Sequence, residues 1–489
     1  MSTGTQQRIA RNALVRSAGE IVAKVASLLF FVTMARQLGR EGFGAFMFAL
    51  GLTTALLVGA GFGTDELTSR EVARDHSRAG RYLSDVAALK TASAVVLLGL
   101  AIVIVNLGDF THDARMAVVI LGTGVAIEAI ARTWYMIFQA NERLDLISLS
   151  IVIQRTLTAL VGILVLKLGG GVIASSFVYS VGAVAGLTVS EVSVRRLVGR
   201  RPRPQPRSWP RLLKTAFPIG VAFLLFVLLM RIDVTILSFI AGEQEVGLYA
   251  AAYRLVESTQ FVAWAIAAAM MPWLSRTAAG GLARGYELGL AAMNGVLLPI
   301  SLVFTLFASG LIGLLYGSAF KPAVLPLQLL GLTSALYGMQ SFASMTLIAR
   351  DSPTTFAKLV GVVVVFNLAG NLVFIPPYGA DGAAAVSLAS AAVLGVVSVW
   401  MAARHVGHVR FWRSFAAPVV ASAAMTATAL LVPGPLVPAV ALAVVVYLVV
   451  VVTVERLLFR DDFDVFLGLL PSRFSAWSAS RSRSGRRSA

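Results

Sequence analysis

The chain has 489 residues, of which 57% are hydrophobic and 13% charged, and its mean hydropathy is +0.82; a soluble domain carries about 25% charged residues, so this composition excludes a water-soluble globule. The absence of cysteine excludes disulfides and thiolate metal sites and leaves the compartment unread by redox chemistry. The formal charge of +17 would point to nucleic acid in a soluble protein, but in an apolar chain it must first be mapped onto the connections between helices.

The first fifteen residues are polar and basic, and the apolar stretch that follows has no Ala-x-Ala cleavage site, so an uncleaved signal-anchor is expected. Apolar stretches then recur to the end of the chain, each long enough to cross a hydrocarbon core of about 30 Å at about 1.5 Å per residue. Fourteen spans are predicted, near 17–38, 44–64, 86–107, 116–139, 145–167, 171–194, 215–240, 247–271, 287–309, 323–348, 355–375, 380–402, 413–432 and 435–457. With the N-terminus inside, cytoplasmic segments hold 31 of the 41 Lys and Arg residues, outer loops hold 5 (Arg36, Arg40, Arg115, Lys167 and Lys321), and the spans hold 5. The positive-inside rule therefore places both termini in the cytoplasm and the chain in the cell membrane. The basic surplus is a topology signal, and no nucleic acid partner is expected. Its densest part, Arg195 to Lys214 with Pro202, Pro204 and Pro206, reads as a stiff extended linker that also suits contact with anionic membrane lipids.

The two sides of that linker repeat. Gly39, Gly44 and Phe46 before and at the start of span 2 fall 203 residues ahead of Gly242, Gly247 and Tyr249, and Gly170-x-x-x-Ala174 precedes Gly379-x-x-x-Ala383 by 209. Six helices is an even number, so the two units run in the same direction about an axis along the membrane normal. The expected fold is an all-α polytopic membrane protein of fourteen transmembrane helices. Residues 1–195 form an N-lobe, 196–214 the linker and 215–403 a C-lobe, giving two parallel six-helix lobes around a central cavity. Residues 404–458 add two helices. Residues 459–489 hold an interfacial helix, where charges alternate with Phe and Leu, and a Ser/Arg-rich tail expected to be disordered.

Enzymatic signatures are sparse. No Gly-x-x-x-x-Gly-Lys-Ser/Thr run occurs, so the chain carries no P-loop, and no cofactor is expected. Asp462-Phe-Asp464 resembles the Asp-x-Asp of many glycosyltransferases, but a three-residue match arises by chance and interfacial charge explains it. His405-x-x-His408 has no nearby Asp, Glu or Cys to complete a metal shell and reads as two solvated histidines. The outer loops are too short for a catalytic domain. A transporter is expected rather than an enzyme.

The chemistry lies in the charges inside the spans. A charge at the centre of a spanning helix costs about 2.5–3.5 kcal/mol on insertion scales, so it is kept only where a partner or a task offsets that cost. Span 1 holds Glu20 and Lys24, span 4 Glu128 and Arg132, span 5 Arg155, span 7 Arg231 and Asp233, and span 8 Arg254 and Glu257. Glu20 with Lys24 and Glu128 with Arg132 are spaced i,i+4, and Arg254 with Glu257 i,i+3, so each couple can meet on one helix face. Snorkelling and self-neutralisation are expected for Glu20 and Lys24 near the inner surface. Arg231 and Asp233, two residues apart, point about 200° from each other and need partners on other helices. Arg155 has no acid three or four residues away. Four arginines drawn from both halves, Arg132, Arg155, Arg231 and Arg254, suit a cationic water-filled cavity. Guanidinium groups bind phosphate oxygens through paired hydrogen bonds, so the expected guest is a phosphate-bearing anion. Asp233, Glu257 and Glu128 are candidates for pairing or ion coupling, and Pro299 and Pro326 supply kinks.

Several motifs in order carry a family resemblance: Leu38-Gly-x-x-x-Phe-Gly-x-Phe46, Gly61-Phe-Gly63 leading into Ser69-Arg-Glu-Val-Ala-Arg74, and Arg231-x-Asp233 followed by Val246-Gly-x-Tyr-x-x-Ala-Tyr-Arg254. Over spans 1 to 12 the chain resembles the polysaccharide transporter branch, the oligosaccharide or O-antigen flippases, of the multidrug/oligosaccharidyl-lipid/polysaccharide flippase superfamily. The resemblance implies an alternating-access flippase that moves a polyprenyl-diphosphate-linked oligosaccharide from the inner to the outer leaflet for cell-surface polysaccharide synthesis. It further implies basic residues in the central cavity, a role carried over to Arg231 and Arg254; Arg132 and Arg155 join them from their mid-span positions alone. A polysaccharide polymerase or glycosyltransferases are candidate partners. A lipid II flippase, a cation-coupled drug exporter and a non-transporting scaffold of a glycan-assembly complex are the rival readings.

Overall fold

A segment surrounded by hydrocarbon must satisfy its backbone hydrogen bonds internally, and the apolar stretches of this chain do so as helices. The computed structural model describes residues 3–195, 197–198, 201–263, 265–267, 270, 282–349, 353–432 and 434–461. The Asp462–Asp464 pair, the tail and most of the expected interfacial helix lie outside the described residues. Within them every regular element is helical: α1 (Thr3–Leu57), α2 (Thr64–Arg74), α3 (Ala79–Leu107), α4 (His112–Ala140), α5 (Leu144–Lys167), α6 (Val172–Val194), α7 (Trp209–Ala241), α8 (Glu243–Glu257), α9 (Leu282–Leu306), α10 (Ala308–Tyr316), α11 (Val324–Ala349), α12 (Pro353–Val406), α13 (Phe411–Leu431) and α14 (Leu436–Leu458), with short 3-10 turns between some of them.

Eleven helical stretches among the described residues are long and apolar enough to cross a membrane. Two of these, Gly19–Ala60 and Thr355–Val406, run for 42 and 52 residues and each holds two predicted spans. Predicted span 8 is described only in part, as α8 and helical residues 260–263 and 265–267. The protein is an all-α, multi-pass membrane protein. Side chains such as Val96 and Leu160, 71% and 67% exposed, sit where lipid tails replace water.

The chain divides into two compact units. One comprises Met1–Phe261, Ala308–Leu330 and Pro353–Leu394; the other comprises Val262–Phe307, Gly331–Ser352 and Gly395–Ala489.

In the first unit the predicted repeat has a backbone counterpart. Gly39 (φ 69°, ψ −170°) breaks α1 between its two spans, and Gly242 (φ 83°, ψ 178°), 203 residues on, separates α7 from α8. Only glycine adopts such angles without strain. The repeat extends to tertiary contact. A Cβ on Gly44 would collide with the carbonyl of Glu243, and a Cβ on Gly247 would collide with the carbonyl of Arg40. Residues 40 and 44 correspond to 243 and 247 at the same offset, so the two glycines make reciprocal halves of one backbone crossing between α1 and α8. The second repeat pair differs by one residue from expectation. The left-handed glycine opposite Gly379 (φ 53°) is Gly169 (φ 88°) rather than Gly170, because the turn after α5 closes one position earlier.

Two segments that read as connections are structured. Residues following span 2 form α2, whose Asp65 and Glu66 lie in its first turn and Arg74 in its last, as the helix dipole favours. Lys90, counted by sequence among the cytoplasmic cations, is instead buried at 1% exposure, pairs with Asp65 at 2.5 Å and donates to the Ala129 carbonyl at 3.0 Å. The linker is held down. Arg201 pairs with Glu191 at 2.8 Å, and Asp85 accepts from the Gln205 backbone N–H at 2.7 Å and from the Ser208 hydroxyl at 3.1 Å. Pro206–Ser208 forms a 3-10 turn, and α7 begins at Trp209, so the second part of the expected linker is helical.

In the second unit, α13 and α14 dock on α9. Glu287 accepts from the Arg410 backbone N–H at 2.6 Å, its carbonyl takes the Ser414 hydroxyl at 2.8 Å, and the Asn294 amide donates to the Ser414 carbonyl at 3.4 Å. Ala421, Met425, Ala443 and Tyr447 close an apolar core between the two helices. Pro299 lies in the interior of α9 and is buried.

Placing a methyl group at the α1–α8 crossing must push two backbones apart, and overpacking of this kind costs about 1–3 kcal/mol. Gly44→Ala and Gly247→Ala are each expected to lower the melting temperature of the purified protein. Gly295→Ala, where a Cβ meets nothing within 4 Å, is expected to leave it unchanged.

Candidate functional site

Intramembrane charge gathers in the first unit, where α1, α4, α5, α7 and α8 each present a titratable group to a shared neighbourhood. The two-residue spacing on α7 acts as the helix period requires. Arg231 donates to Glu257 near the end of α8 at 2.7 Å, while Asp233 meets Tyr249, about two turns earlier on α8, together with Asn371 and Ser387 on α12. On α8 the i,i+3 spacing brings Arg254 to the second oxygen of the same carboxylate, also at 2.7 Å. Glu257 therefore bridges two guanidinium groups, one on each of its oxygens. The Arg254 guanidinium also stacks on Phe31, 4.1 Å from the ring centroid, and donates to the Met47 sulfur at 3.7 Å. Its Nε is buried with no hydrogen-bond partner among the described residues. Arg231 lies 5.7 Å from the ring centroid of Tyr253.

The N-terminal half contributes a second pair. Arg155 on α5 meets Glu128 on α4 at 3.4 Å and donates to the Tyr179 hydroxyl at 3.2 Å, and the Gln154 amide donates to Glu128 Oε1 as well. The i,i+4 expectation for Glu128 and Arg132 is thus replaced: α4 turns Glu128 toward α5, and Arg132 lies exposed, in electrostatic range of Lys90 and Glu66. Arg132 is the one expected arginine set apart from the others.

Lys24 was expected to neutralise Glu20 near the inner surface. Its ammonium also lies in electrostatic range of Glu257, Arg254, Arg155 and Arg231, which brings a fourth cation to the edge of the cluster. Arg155, Arg231 and Arg254 pair with Glu128 and Glu257, an excess of one positive charge before Lys24 and Glu20, one turn apart on α1, are counted. These side chains are not sealed off: Arg155, Arg231 and Arg254 retain 29%, 21% and 12% exposure. Low-dielectric surroundings strengthen each interaction, so a cluster with spare positive charge and spare N–H donors is suited to an anion with several acceptor oxygens.

Asp233 belongs to a different site. It is 4% exposed and accepts from the Ser387 hydroxyl at 2.5 Å, the Asn371 amide at 2.8 Å and the Tyr249 hydroxyl at 3.0 Å. The network runs on from Asn371 to Asn367 at 2.9 Å and from Asn367 to Ser390 at 3.1 Å. Every one of these partners is neutral. A buried carboxylate held by neutral oxygen and nitrogen groups is chemically suited to take up a proton or a small hard cation. Sequence reasoning missed Asn367, Asn371, Ser387 and Ser390. The signal available was two amides at i,i+4 in an otherwise apolar span.

Comparison with known proteins agrees with this architecture. A family model described as polysaccharide biosynthesis protein matches residues 9–278, more than half of the chain. The chain is 22% identical over 397 residues to the probable low-salt glycan biosynthesis flippase Agl15 of Haloferax volcanii, covering 79% of this chain and 81% of that protein. Among solved structures it is similar to the lipid II flippase MurJ in an inward closed conformation, with a TM-score of 0.73, 16% identity, and coverage of 92% of this chain and 99% of that one. It is also similar to an inward-facing multidrug resistance MATE family transporter of the MOP superfamily, with a TM-score of 0.62, 15% identity, and coverage of 81% and 98%. The structural likenesses show the fold.

The pairing of Glu128 is open to a double-mutant cycle. Glu128→Gln combined with Arg155→Met is expected to show a coupling of about 0.5–3 kcal/mol, the range for residues in contact. The cycle of Glu128→Gln with Arg132→Met is expected to be additive. Thermal unfolding of the purified variants reads both.

Proposed function

The chain belongs to the polysaccharide biosynthesis protein family, and on that premise we propose that it is a flippase carrying a polyprenyl-diphosphate-linked oligosaccharide from the inner to the outer leaflet of the cytoplasmic membrane, with both termini cytoplasmic. The observation that carries the reading is the cluster of Arg155, Arg231 and Arg254, three guanidinium groups against Glu128 and Glu257, with Lys24 in electrostatic range, within membrane-spanning helices. The arginines hold the diphosphate, the glycan occupies aqueous space between the two six-helix halves, and the polyprenyl tail stays in lipid. Rocking of the halves exposes the headgroup to the other side. The glycan flippase named among the relatives supports the same reading. A polymerase or glycosyltransferases act before and after it on the same lipid-linked glycan.

No P-loop is present in the sequence, so the energy comes from a gradient or from a partner, and the charges favour a gradient. An inside-negative potential assists outward movement of an anionic headgroup by about 2.3 kcal/mol per charge per 100 mV. Asp233, with Ser387, Asn371 and Tyr249 around it, takes up the coupling proton or sodium ion that resets the carrier. A cationic site disfavours the organic cations of a drug exporter. The lipid II reading shares the diphosphate and differs in the glycan.

In proteoliposomes, Arg231→Ala with Arg254→Ala is expected to reduce translocation of a lipid-linked oligosaccharide at least about 100-fold, as loss of two charge-assisted contacts of about 1.5–3 kcal/mol each implies. Translocation at the wild-type rate overturns the cationic-site reading. Translocation of lipid II in preference to other lipid-linked glycans selects the peptidoglycan alternative, and no translocation of either by the wild-type protein leaves the scaffold reading. Asp233→Asn is expected to abolish the dependence of turnover on a proton or sodium gradient while leaving binding of the diphosphate intact.

A further inference from the structure

We propose that Glu257 is a tethered stand-in for the cargo's phosphate, an internal anion that occupies the guanidinium pair until the diphosphate displaces it and that returns to expel the diphosphate on the far side. The inference rests on the diphosphate-binding reading above and concerns what that site does when empty of cargo.

The geometry is that of an anion site already filled from within. The two Glu257 oxygens each take one short charge-assisted hydrogen bond, from Arg231 at 2.7 Å and from Arg254 at 2.7 Å, and the two donors come from different helices. A phosphoryl group bridging two arginines makes the same pair of contacts. The carboxylate satisfies only part of the donor set. Arg254 Nε is buried with no partner among the described residues, and Lys24 lies in electrostatic range of Glu257, Arg254 and Arg231 as well as of Arg155. A ligand with more oxygens and more charge than one carboxylate, and with two linked phosphoryl groups, therefore gains contacts that Glu257 does not make. Partial exposure of Arg231, Arg254 and Glu257, at 21%, 12% and 17%, leaves room for the exchange.

Two consequences follow for a carrier embedded in a sea of phospholipid headgroups. An internal competitor raises the apparent dissociation constant of every anion by the same factor, the reciprocal of the fraction of time the guanidinium groups are free. Weakly held single-phosphate headgroups are thereby kept from occupying the site at bilayer concentrations, while a diphosphate still binds. The same competitor makes release possible, because the returning carboxylate neutralises the arginines as cargo departs and spares them an uncompensated state in a low-dielectric site.

The test uses the full-length protein in detergent micelles with farnesyl diphosphate and farnesyl monophosphate as probes, measured by calorimetry. Glu257→Gln, a neutral near-isostere, is expected to bind both probes about 10- to 100-fold more tightly than wild type, by a similar factor for each, if the carboxylate holds the arginines about 90–99% of the time. Glu257→Asp keeps the charge on a shorter arm and is expected to tighten both probes by a smaller factor, which gives a reading if the glutamine variant does not fold. Unchanged or weaker diphosphate binding in a variant whose melting temperature is retained overturns the proposal and assigns Glu257 to holding the arginines in place. Tightening confined to one probe also overturns it, since displacement acts on both alike. If the wild type and both variants bind neither probe, the diphosphate reading itself fails; if the wild type binds the diphosphate and the variants bind it less well, only the present inference does.

Discussion

Two glycine residues let two backbones touch, and much of the candidate site depends on that contact. Gly44 lies against the carbonyl of Glu243 and Gly247 against the carbonyl of Arg40, so α1 and α8 cross at a distance no side chain would permit. Close approach at small residues is a recurrent solution inside membranes, where hydrophobicity does not drive one helix onto another and van der Waals packing must. The crossing sets the rotation and height of α8 against α1. From it follow the stacking of Arg254 on Phe31, its contact with Met47, and the entry of Lys24 into the field of Glu257. A second close approach, of Gly63 and Gly220, joins the turn before α2 to α7, the helix that bears Arg231 and Asp233.

With the helices so placed, the charges sort into three groups by what each can reach. Glu257 is shared by Arg231 and Arg254, Glu128 is taken by Arg155 and Gln154, and Asp233 is surrounded by neutral donors. The first two groups together carry surplus positive charge, three arginines against two carboxylates, and remain partly accessible, which suits an anionic guest. The third is sealed and has only neutral hydrogen-bond partners among the described residues, which suits a transferred cation. The proposed binding and energising roles thus fall to different residues although Arg231 and Asp233 stand two positions apart on α7. The helical period that separates their directions by about 200° is the physical basis of that division.

Connections that read as loops also hold the first unit together. Asp85 fixes Gln205 and Ser208, Glu191 fixes Arg201, and Asp65 holds the buried Lys90. Asp85 and Glu191 thus hold the basic linker, Glu191 through a linker cation, while Asp65 neutralises a lysine buried inside α3.

Fold class was legible because bilayer thickness imposes a length and hydropathy that any spanning helix must meet, and the repeat was legible because Gly39 and Gly242 both need a left-handed backbone. Relations within one helix were legible too: the divergence of Arg231 from Asp233 and the meeting of Arg254 with Glu257 follow from the helical period alone. Choice of partner between helices was not. Glu128 had Arg132 one turn away and took Arg155 from α5; Lys24, one turn from Glu20, came within electrostatic range of Glu257; Asp233 found Asn371 and Ser387, 138 and 154 residues along the chain. Local geometry limits a side chain to a face of its helix, but which neighbour that face meets depends on crossing angle and rotation, and those are decided by glycine contacts and side-chain packing that exist only once the helices have assembled.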